Sequence, residues 1–117
     1  MSSAEAIVYG ATQALVAGRC YPDVGPDNVV KPYITYQAVG GQDETTFDGL
    51  NQLQNTRMQV NVWTTSRSTA VALMQQVLQA LTVAPIYGTP IGAPVSEYED
   101  DTKLYGSRLD ISIWFSL

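Results

Sequence analysis

Two stretches of the chain alternate between apolar and polar residues with a period of two, and each predicts a half-buried β-strand. In residues 56–64 the apolar side is formed by Met58, Val60 and Val62. The opposite side of this strand carries Arg57, Gln59, Asn61 and Trp63. The strand that runs to the C-terminus has an apolar side formed by Leu109, Ile111, Ile113, Phe115 and Leu117. Its opposite side carries Arg108, Asp110, Ser112, Trp114 and Ser116.

Apolar residues at helical spacing predict a first helix over residues 2–18 and a second helix that ends before Pro85. Ser2 and Glu5 have the spacing of a capping box, and Gly18 is a natural C-terminal stop. The second helix carries an apolar stripe formed by Ala70, Leu73, Met74, Val77, Leu78 and Leu81. The candidates for its N-cap are Thr65, Ser66 and Ser68.

Proline, glycine and polar residues divide the rest of the chain into loops at 20–32 and 83–93, strands at 33–39 and 94–99, and a turn at 100–103. Residues 40–55 are polar and form either a long functional loop or the tip of a long hairpin. The element order is therefore α-β-β-α-β-β. This order predicts one α+β domain over residues 1–117, a two-layer sandwich with a mainly antiparallel sheet and both helices on one face.

Composition removes much of the usual catalytic chemistry. The chain has no histidine and one cysteine, Cys20, so the commonest general base, a thiolate zinc site and an internal disulfide are all excluded. Gly40 and Gly41 have neither the spacing nor the lysine of a phosphate loop. We therefore expect no enzyme activity, no cofactor and no metal, and we expect Cys20 to be a small, partly buried thiol.

The charge of the chain argues against nucleic-acid and membrane binding. Its net charge is −5, and its six cations are scattered along the sequence, whereas DNA-binding proteins present a dense basic face. The same scatter argues against anionic membrane surfaces. The N-terminus has no basic segment of a secretory signal and no apolar run approaches the length of a membrane helix, so we expect a cytosolic site of synthesis.

The densest acidic patch consists of Glu97, Glu99, Asp100 and Asp101. Two carboxylates on one side of a strand can perform acid–base chemistry or bind calcium. Beside a turn, however, such residues more often form a solvated hairpin end, which is the interpretation we favour.

The two alternating strands also match each other position by position. Residues 57–63 and 108–114 both read arginine, apolar, polar, apolar, polar, apolar, tryptophan. The shared alternation needs no special explanation, but arginine and tryptophan are enriched where proteins meet. The pattern therefore predicts either a subunit interface on this sheet face or a loop of the same chain folded over it. The candidate interface residues are Arg57, Trp63, Arg108 and Trp114.

Four stretches, in order, resemble the family of phage tail-completion proteins, which includes tail-to-head joining proteins and tail terminators of long-tailed phages. They are Arg19-Cys20-Tyr21-Pro22, Pro32-Tyr33-Ile34-Thr35-Tyr36-Gln37, residues 57–63 with the helix that follows, and residues 108–114. The resemblance implies an α+β fold that closes as a hexameric ring on the head-proximal end of the tail tube, ending tube growth and offering a head-joining surface. It implies a virion protein without catalytic residues that assembles in the host bacterial cytoplasm.

The implied partners are further copies of the chain, the tail tube protein and a head connector or neck protein, and the chain can be a monomer before the ring closes. DNA would pass through the ring without specific binding, because an acidic lumen repels phosphates. We expect the lining to come from among Asp43, Glu44, Asp48, Glu97, Glu99, Asp100 and Asp101. The alternatives are a neck or head-closure component and a small ligand-binding or dimeric regulatory α+β domain, which would have an apolar pocket.

Overall fold

The computed structural model of the chain describes residues 3–41, 45–46, 49–50 and 53–116. Its helices are α1 (Ala4–Thr12), which continues into a 3₁₀ turn (Gln13–Val16), and α2 (Arg67–Thr82). The first four strands are β1 (Cys20–Pro22), β2 (Tyr33–Ala38), β3 (Thr45–Thr46) and β4 (Gly49–Leu50). The other four are β5 (Leu53–Thr64), β6 (Thr89–Pro90), β7 (Val95–Glu99) and β8 (Leu104–Ser116).

Helix α1 is shorter than the sequence predicts, and its cap differs. The Ser3 side chain accepts a hydrogen bond from the backbone N–H of Ala6 at 3.1 Å, so Ser3 is the N-cap. The predicted capping box is therefore wrong in its first position, and Ser2 itself lies outside the described residues. The Thr12 hydroxyl donates to the carbonyl of Val8 at 2.8 Å, where the α-helix gives way to the 3₁₀ turn. The chain then turns at Ala17, in the left-handed conformation.

Helix α2 agrees with its prediction at both ends. Ser66 is the N-cap, and its side-chain oxygen accepts from the backbone N–H of Thr69 at 3.2 Å. The helix ends at Thr82, and Val83 is already extended two residues before Pro85. Its buried residues are Ala70, Leu73, Met74, Val77 and Leu81. None of the described helices is both long and apolar enough to cross a membrane.

The sheet is mostly antiparallel, in the order β1-β2-β5-β8-β6, with β7 also paired to β8. Strand β1 runs parallel to β2, whereas β2 is antiparallel to β5, and β5, β6 and β7 are each antiparallel to β8. The α+β class is confirmed, but the predicted order α-β-β-α-β-β is incomplete. It omits β1, β6 and the separate pair β3–β4, which have only two or three residues each. Such strands are too short to show a period, so only tertiary pairing reveals them.

The core lies between the helices and one face of the sheet. The sheet contributes Met58, Val60, Val62, Leu109, Ile111 and Ile113, each 0% exposed. The helices contribute the stripe of α2 together with Ala4 and Val8 of α1. Both helices therefore pack on one face, as predicted. The opposite face, which carries Arg57, Trp63, Arg108 and Trp114, is called the open face below.

Candidate interaction surface

Antiparallel pairing of β5 with β8 divides the open face into two halves. The two repeated segments run in opposite directions, so Trp63 pairs with Gly106 while Trp114 pairs with Asn55. Gly106 and Trp114 are eight positions apart on β8, which separates the two tryptophans by about 27 Å along the strand. Each half consequently contains the tryptophan of one strand and the arginine of the other. The four predicted interface residues therefore form two separate pairs, Trp63 with Arg108 and Trp114 with Arg57.

Both arginines are neutralised within the chain. The guanidinium of Arg57 donates to Asp110 Oδ2 from Nη2 at 2.6 Å and from Nε at 3.0 Å. The Nη1 of Arg108 donates to Glu97 Oε1 at 3.0 Å. All four side chains keep some exposure, from 17% for Asp110 to 44% for Arg57. The open face therefore carries ion pairs and not free positive charge.

Trp63 is part of the packing of the sheet itself. Its indole N–H donates to the Thr35 hydroxyl at 3.2 Å on the neighbouring strand β2. Its ring covers Gly106, where a Cβ atom would lie only 2.8 Å from the ring. Trp63 is half-buried, whereas Trp114 is 37% exposed. Of the two tryptophans, Trp114 is the more exposed to solvent.

Each half of the open face contains a depression. The first, called the polar groove, has a volume of about 410 Å³. Polar side chains of β2 and β5 form its floor with Trp63, and its walls come from residues 23–25 and from β7. The second, called the Trp114 depression, has a volume of about 510 Å³. It is bordered by Trp114 and Arg57 and by two partly exposed aliphatic residues, Val39 and Ile91.

The acidic residues predicted to form a patch are distributed differently. Glu97 and Glu99 both border the polar groove, and Glu99 also accepts a hydrogen bond from the Thr102 hydroxyl at 2.6 Å. Asp100 pairs with Lys103 at 3.0 Å in the exposed turn, and Asp101 is exposed beside it. Asp100 and Asp101 thus belong to an exposed hairpin turn, whereas Glu97 and Glu99 border the polar groove. Asp43, Glu44 and Asp48 lie outside the described residues.

The potential nucleophiles are held neutral. Burial raises the pKa of the Cys20 thiol, an effect only partly offset by its contact with the Thr12 hydroxyl at 3.5 Å. Burial is also the main reason why the pKa values of Tyr33 and Tyr36 are raised. These groups are therefore protonated at neutral pH. Within residues 3–41 and 53–116, no three side chains of the metal-binding types come together.

Sequence reasoning missed the acids that neutralise the two arginines and the small residues that shape the groove. The Arg108–Glu97 pair follows from the predicted turn at 100–103, because hairpin pairing of the flanking strands brings residues 97 and 108 onto one face. The Arg57–Asp110 pair joins residues that are 53 positions apart, and no local signal indicates it. The approach of Gly25 to the Tyr33 ring likewise depends on tertiary structure.

Comparison with known proteins supplies the context for this surface. One solved structure with a similar fold comes from the work titled "Virion of native gene transfer agent (GTA) particle", with a TM-score of 0.73 and 18% identity, covering 98% of this chain and 96% of that one. Another is the gp17 protein of bacteriophage SPP1, with a TM-score of 0.52 and 19% identity, covering 97% of this chain and 91% of that one. At 18% and 19% sequence identity, the similarity to these structures shows a shared fold. No curated protein matches the chain.

The sequence itself provides the stronger assignment. Residues 9–116 match the family described as Tail completion protein gp17. The match covers the end of α1, the whole of α2 and the sheet from β1 to β8, and so includes both halves of the open face. The chain therefore belongs to the phage tail-completion protein family.

Proposed function

We propose that this protein caps the head-proximal end of the phage tail tube as a ring, ends tube growth and provides the surface to which the head is joined. The observation that carries the proposal is the family match over residues 9–116. The proposed partners are further copies of the chain, the tail tube protein and a head connector or neck protein. The role is structural, with no reaction and no cofactor, and its proposed location is the head-proximal end of the tail in the virion.

A ring requires a head-to-tail contact between unlike surfaces of neighbouring copies. The Trp114 depression suits one side of such a contact, because it joins an exposed tryptophan to the aliphatic side chains of Val39 and Ile91. Large aromatic residues surrounded by apolar contacts commonly carry most of the energy of an interface. We therefore propose Trp114 as the centre of the contact and Arg57, held by Asp110, at its edge.

The channel for DNA needs acidic side chains that are not buried against a neighbour. Glu97 and Glu99 border the polar groove, and Glu97 is partly buried there in its ion pair with Arg108. Asp100 and Asp101 are exposed in the β7–β8 turn and suit the channel better. We propose these two, with Asp43, Glu44 and Asp48, as the preferred lining, which would repel phosphates and let DNA pass without binding.

The test is to delete the gene from the phage or prophage that encodes it and to examine the lysate by electron microscopy. Tails of abnormal length beside unjoined heads are expected, and the wild-type gene supplied in trans should restore infectious particles. Tails of normal length that fail to join heads would move the protein to the neck. Infectious particles in normal yield would refute a role in tail completion.

The contact at Trp114 has its own test by complementation. Trp114→Ala should restore fewer particles than the wild-type gene, because the exposed indole is the largest apolar group of the proposed contact. Tyr9→Ala is the matched control, since Tyr9 is a similarly exposed aromatic residue on α1, on the opposite side of the sheet. Equal particle yields for the two variants would refute the proposed contact.

A further inference from the structure

The polar groove differs from the Trp114 depression in both shape and charge. It lies at the other end of the open face, where Tyr33 and Trp63 form part of its floor. Residues 23–25 rise along one side because Gly25 packs closely on the Tyr33 ring, where a Cβ atom would come within 2.8 Å. Strand β7 forms the other side with Glu97 and Glu99. The result is an open trough that crosses the sheet.

The charges of the groove are unbalanced. Its residues include three carboxylates, those of Asp23, Glu97 and Glu99, and one guanidinium, that of Arg108. Arg108 is engaged by Glu97 at 3.0 Å, so the groove has a net charge of −2. The negative charge extends over the aromatic floor, since the charge of Glu99 adds to burial in raising the pKa of Tyr33. A phosphate backbone is repelled by this arrangement, whereas a cation is attracted.

The floor adds a second feature that favours a cation. Tyr33 and Trp63 are both partly exposed, and aromatic rings attract ammonium and guanidinium groups, tryptophan most strongly. The amide side chains of Gln37, Gln59 and Asn61 extend the floor. Amide oxygens accept hydrogen bonds from the N–H groups of an arginine or from a peptide backbone. Carboxylates at the rim, aromatic rings and amides together form a surface for a basic side chain.

Most of the cations of this chain are already engaged, so a second copy is a poor source of that side chain. Arg57, Arg108 and Lys103 pair with carboxylates. The guanidinium of Arg67 lies 5.3 Å from the centroid of the Tyr105 ring, and Arg19 donates to the carbonyl of Pro32. The sixth cation, Lys31, lies in the loop that follows residues 23–25, and so it is beside the polar groove of its own chain. With a net charge of −5, the chain is better matched by a partner of opposite charge.

We infer that the polar groove binds an arginine or lysine side chain carried by an extended segment of a different protein. The inference does not depend on ring formation, because it concerns the half of the open face that lies away from Trp114. The polar groove also requires a different kind of partner from the proposed subunit contact. It requires a positive charge, whereas the subunit contact requires an apolar surface.

The two tryptophans make the test direct. The ¹⁵N-labelled chain is titrated in about 0.15 M salt, where distant charges are screened, with the capped peptide Gly-Arg-Ser-Arg-Gly. The two indole N–H signals are assigned with a Trp114→Phe variant. The Trp63 signal should shift on titration while the Trp114 signal stays constant. The same peptide with citrulline in place of arginine keeps the shape and removes the charge, and it should leave both signals unchanged.

A groove variant and a control variant separate the groove from the general charge of the protein. Asp23→Asn with Glu99→Gln makes the groove neutral and should weaken peptide binding by about tenfold, given what exposed ion pairs contribute. Glu5→Lys, at an exposed site on α1, changes the net charge by the same amount and should change binding less than twofold. The inference is overturned if both variants weaken binding equally, or if the citrulline peptide binds as well as the arginine peptide. It is also overturned if duplex DNA shifts the Trp63 signal and the arginine peptide does not.

Discussion

Replacing Gly106 by alanine tests whether Trp63 is held against the backbone of the sheet. Gly106 lies in the long strand β8, directly opposite Trp63 of β5. Its φ lies outside the left-handed region, so alanine can adopt the same backbone conformation. The effect of the substitution therefore comes from the added methyl group. If the ring must leave its position, the hydrogen bond from Trp63 to Thr35 at 3.2 Å is weakened as well.

The expected magnitude follows from the geometry. A Cβ atom at position 106 would lie 2.8 Å from Cζ3 and 2.9 Å from Cε3 of Trp63, whereas non-bonded carbons prefer about 3.5–4.0 Å. The carbonyl oxygen of Val62, at 3.1 Å, keeps the alanine from moving away. Such overpacking costs about 1–3 kcal/mol, and removing a glycine from a strand gives back about 0.5–1 kcal/mol. The net loss of about 1–2 kcal/mol lowers Tm by roughly 4–10 °C.

Urea unfolding and thermal melts of the variant measure this loss, and the indole signal of Trp63 reports the displacement of the ring. Gly10→Ala is the matched control, because Gly10 is exposed in α1 and nothing lies within 4 Å of an added Cβ. It should raise the free energy of unfolding by about 0.5–1 kcal/mol. Gly106→Ala should also cost less in a Trp63→Leu background, where the clash is absent. A Gly106→Ala variant as stable as the wild type would refute the reasoning.

Three further predictions concern the helices and the buried thiol. Ser66→Ala should lower the free energy of unfolding by about 1 kcal/mol in urea, because α2 loses its cap, whereas Ser68→Ala, at an exposed site, should change it by less than about 0.5 kcal/mol. Leu81→Ala should lower it by about 2–5 kcal/mol, since Leu81 is 0% exposed, while Val71→Ala, at 46% exposure in the same helix, should have little effect. Because the fold raises the pKa of Cys20 above its ordinary value of 9.0, the unfolded thiol loses its proton first, so stability should fall as pH rises above about 9. A Cys20→Ala variant should show a shallower fall, and an equal slope would exclude the thiol as its cause.

The elements predicted correctly are those whose signals extend over many residues. Strands β5 and β8 alternate over 12 and 13 residues, and α2 combines an apolar stripe with a cap at Ser66 and an end before Pro85. In each case local preference and burial agree, and tertiary structure has nothing to override. The polar segment 40–55 lies partly outside the described residues; of its described part, Gly40 still pairs with Arg57 across the β2–β5 hairpin and residues 53–55 belong to β5.

The elements that were missed depend on distant partners. Strand β1 contains Pro22 and forms only because it meets β2 in parallel, from Cys20 opposite Ile34 to Pro22 opposite Tyr36. Proline is compatible with such an edge strand, because an edge leaves backbone N–H groups unpaired. In a sequence, however, proline among turn residues indicates a loop. The same dependence explains why Asp110 was not recognised as the partner of Arg57.

The repeated arginine and tryptophan pattern acquires a different meaning once the strands are paired. The sequence suggested one cluster of four residues, but antiparallel pairing places Trp63 with Arg108 and Trp114 with Arg57 at opposite ends of the open face. Each half contains one tryptophan and one arginine, but the neighbouring side chains differ. Carboxylates and amides surround the pair in the Trp63 half, whereas aliphatic side chains lie beside the pair in the Trp114 half. The proposed apolar contact with a further copy and the proposed charged contact with another protein can therefore form on one sheet face at the same time. Because the two tryptophans are about 27 Å apart, substitutions in one half should leave the other contact intact.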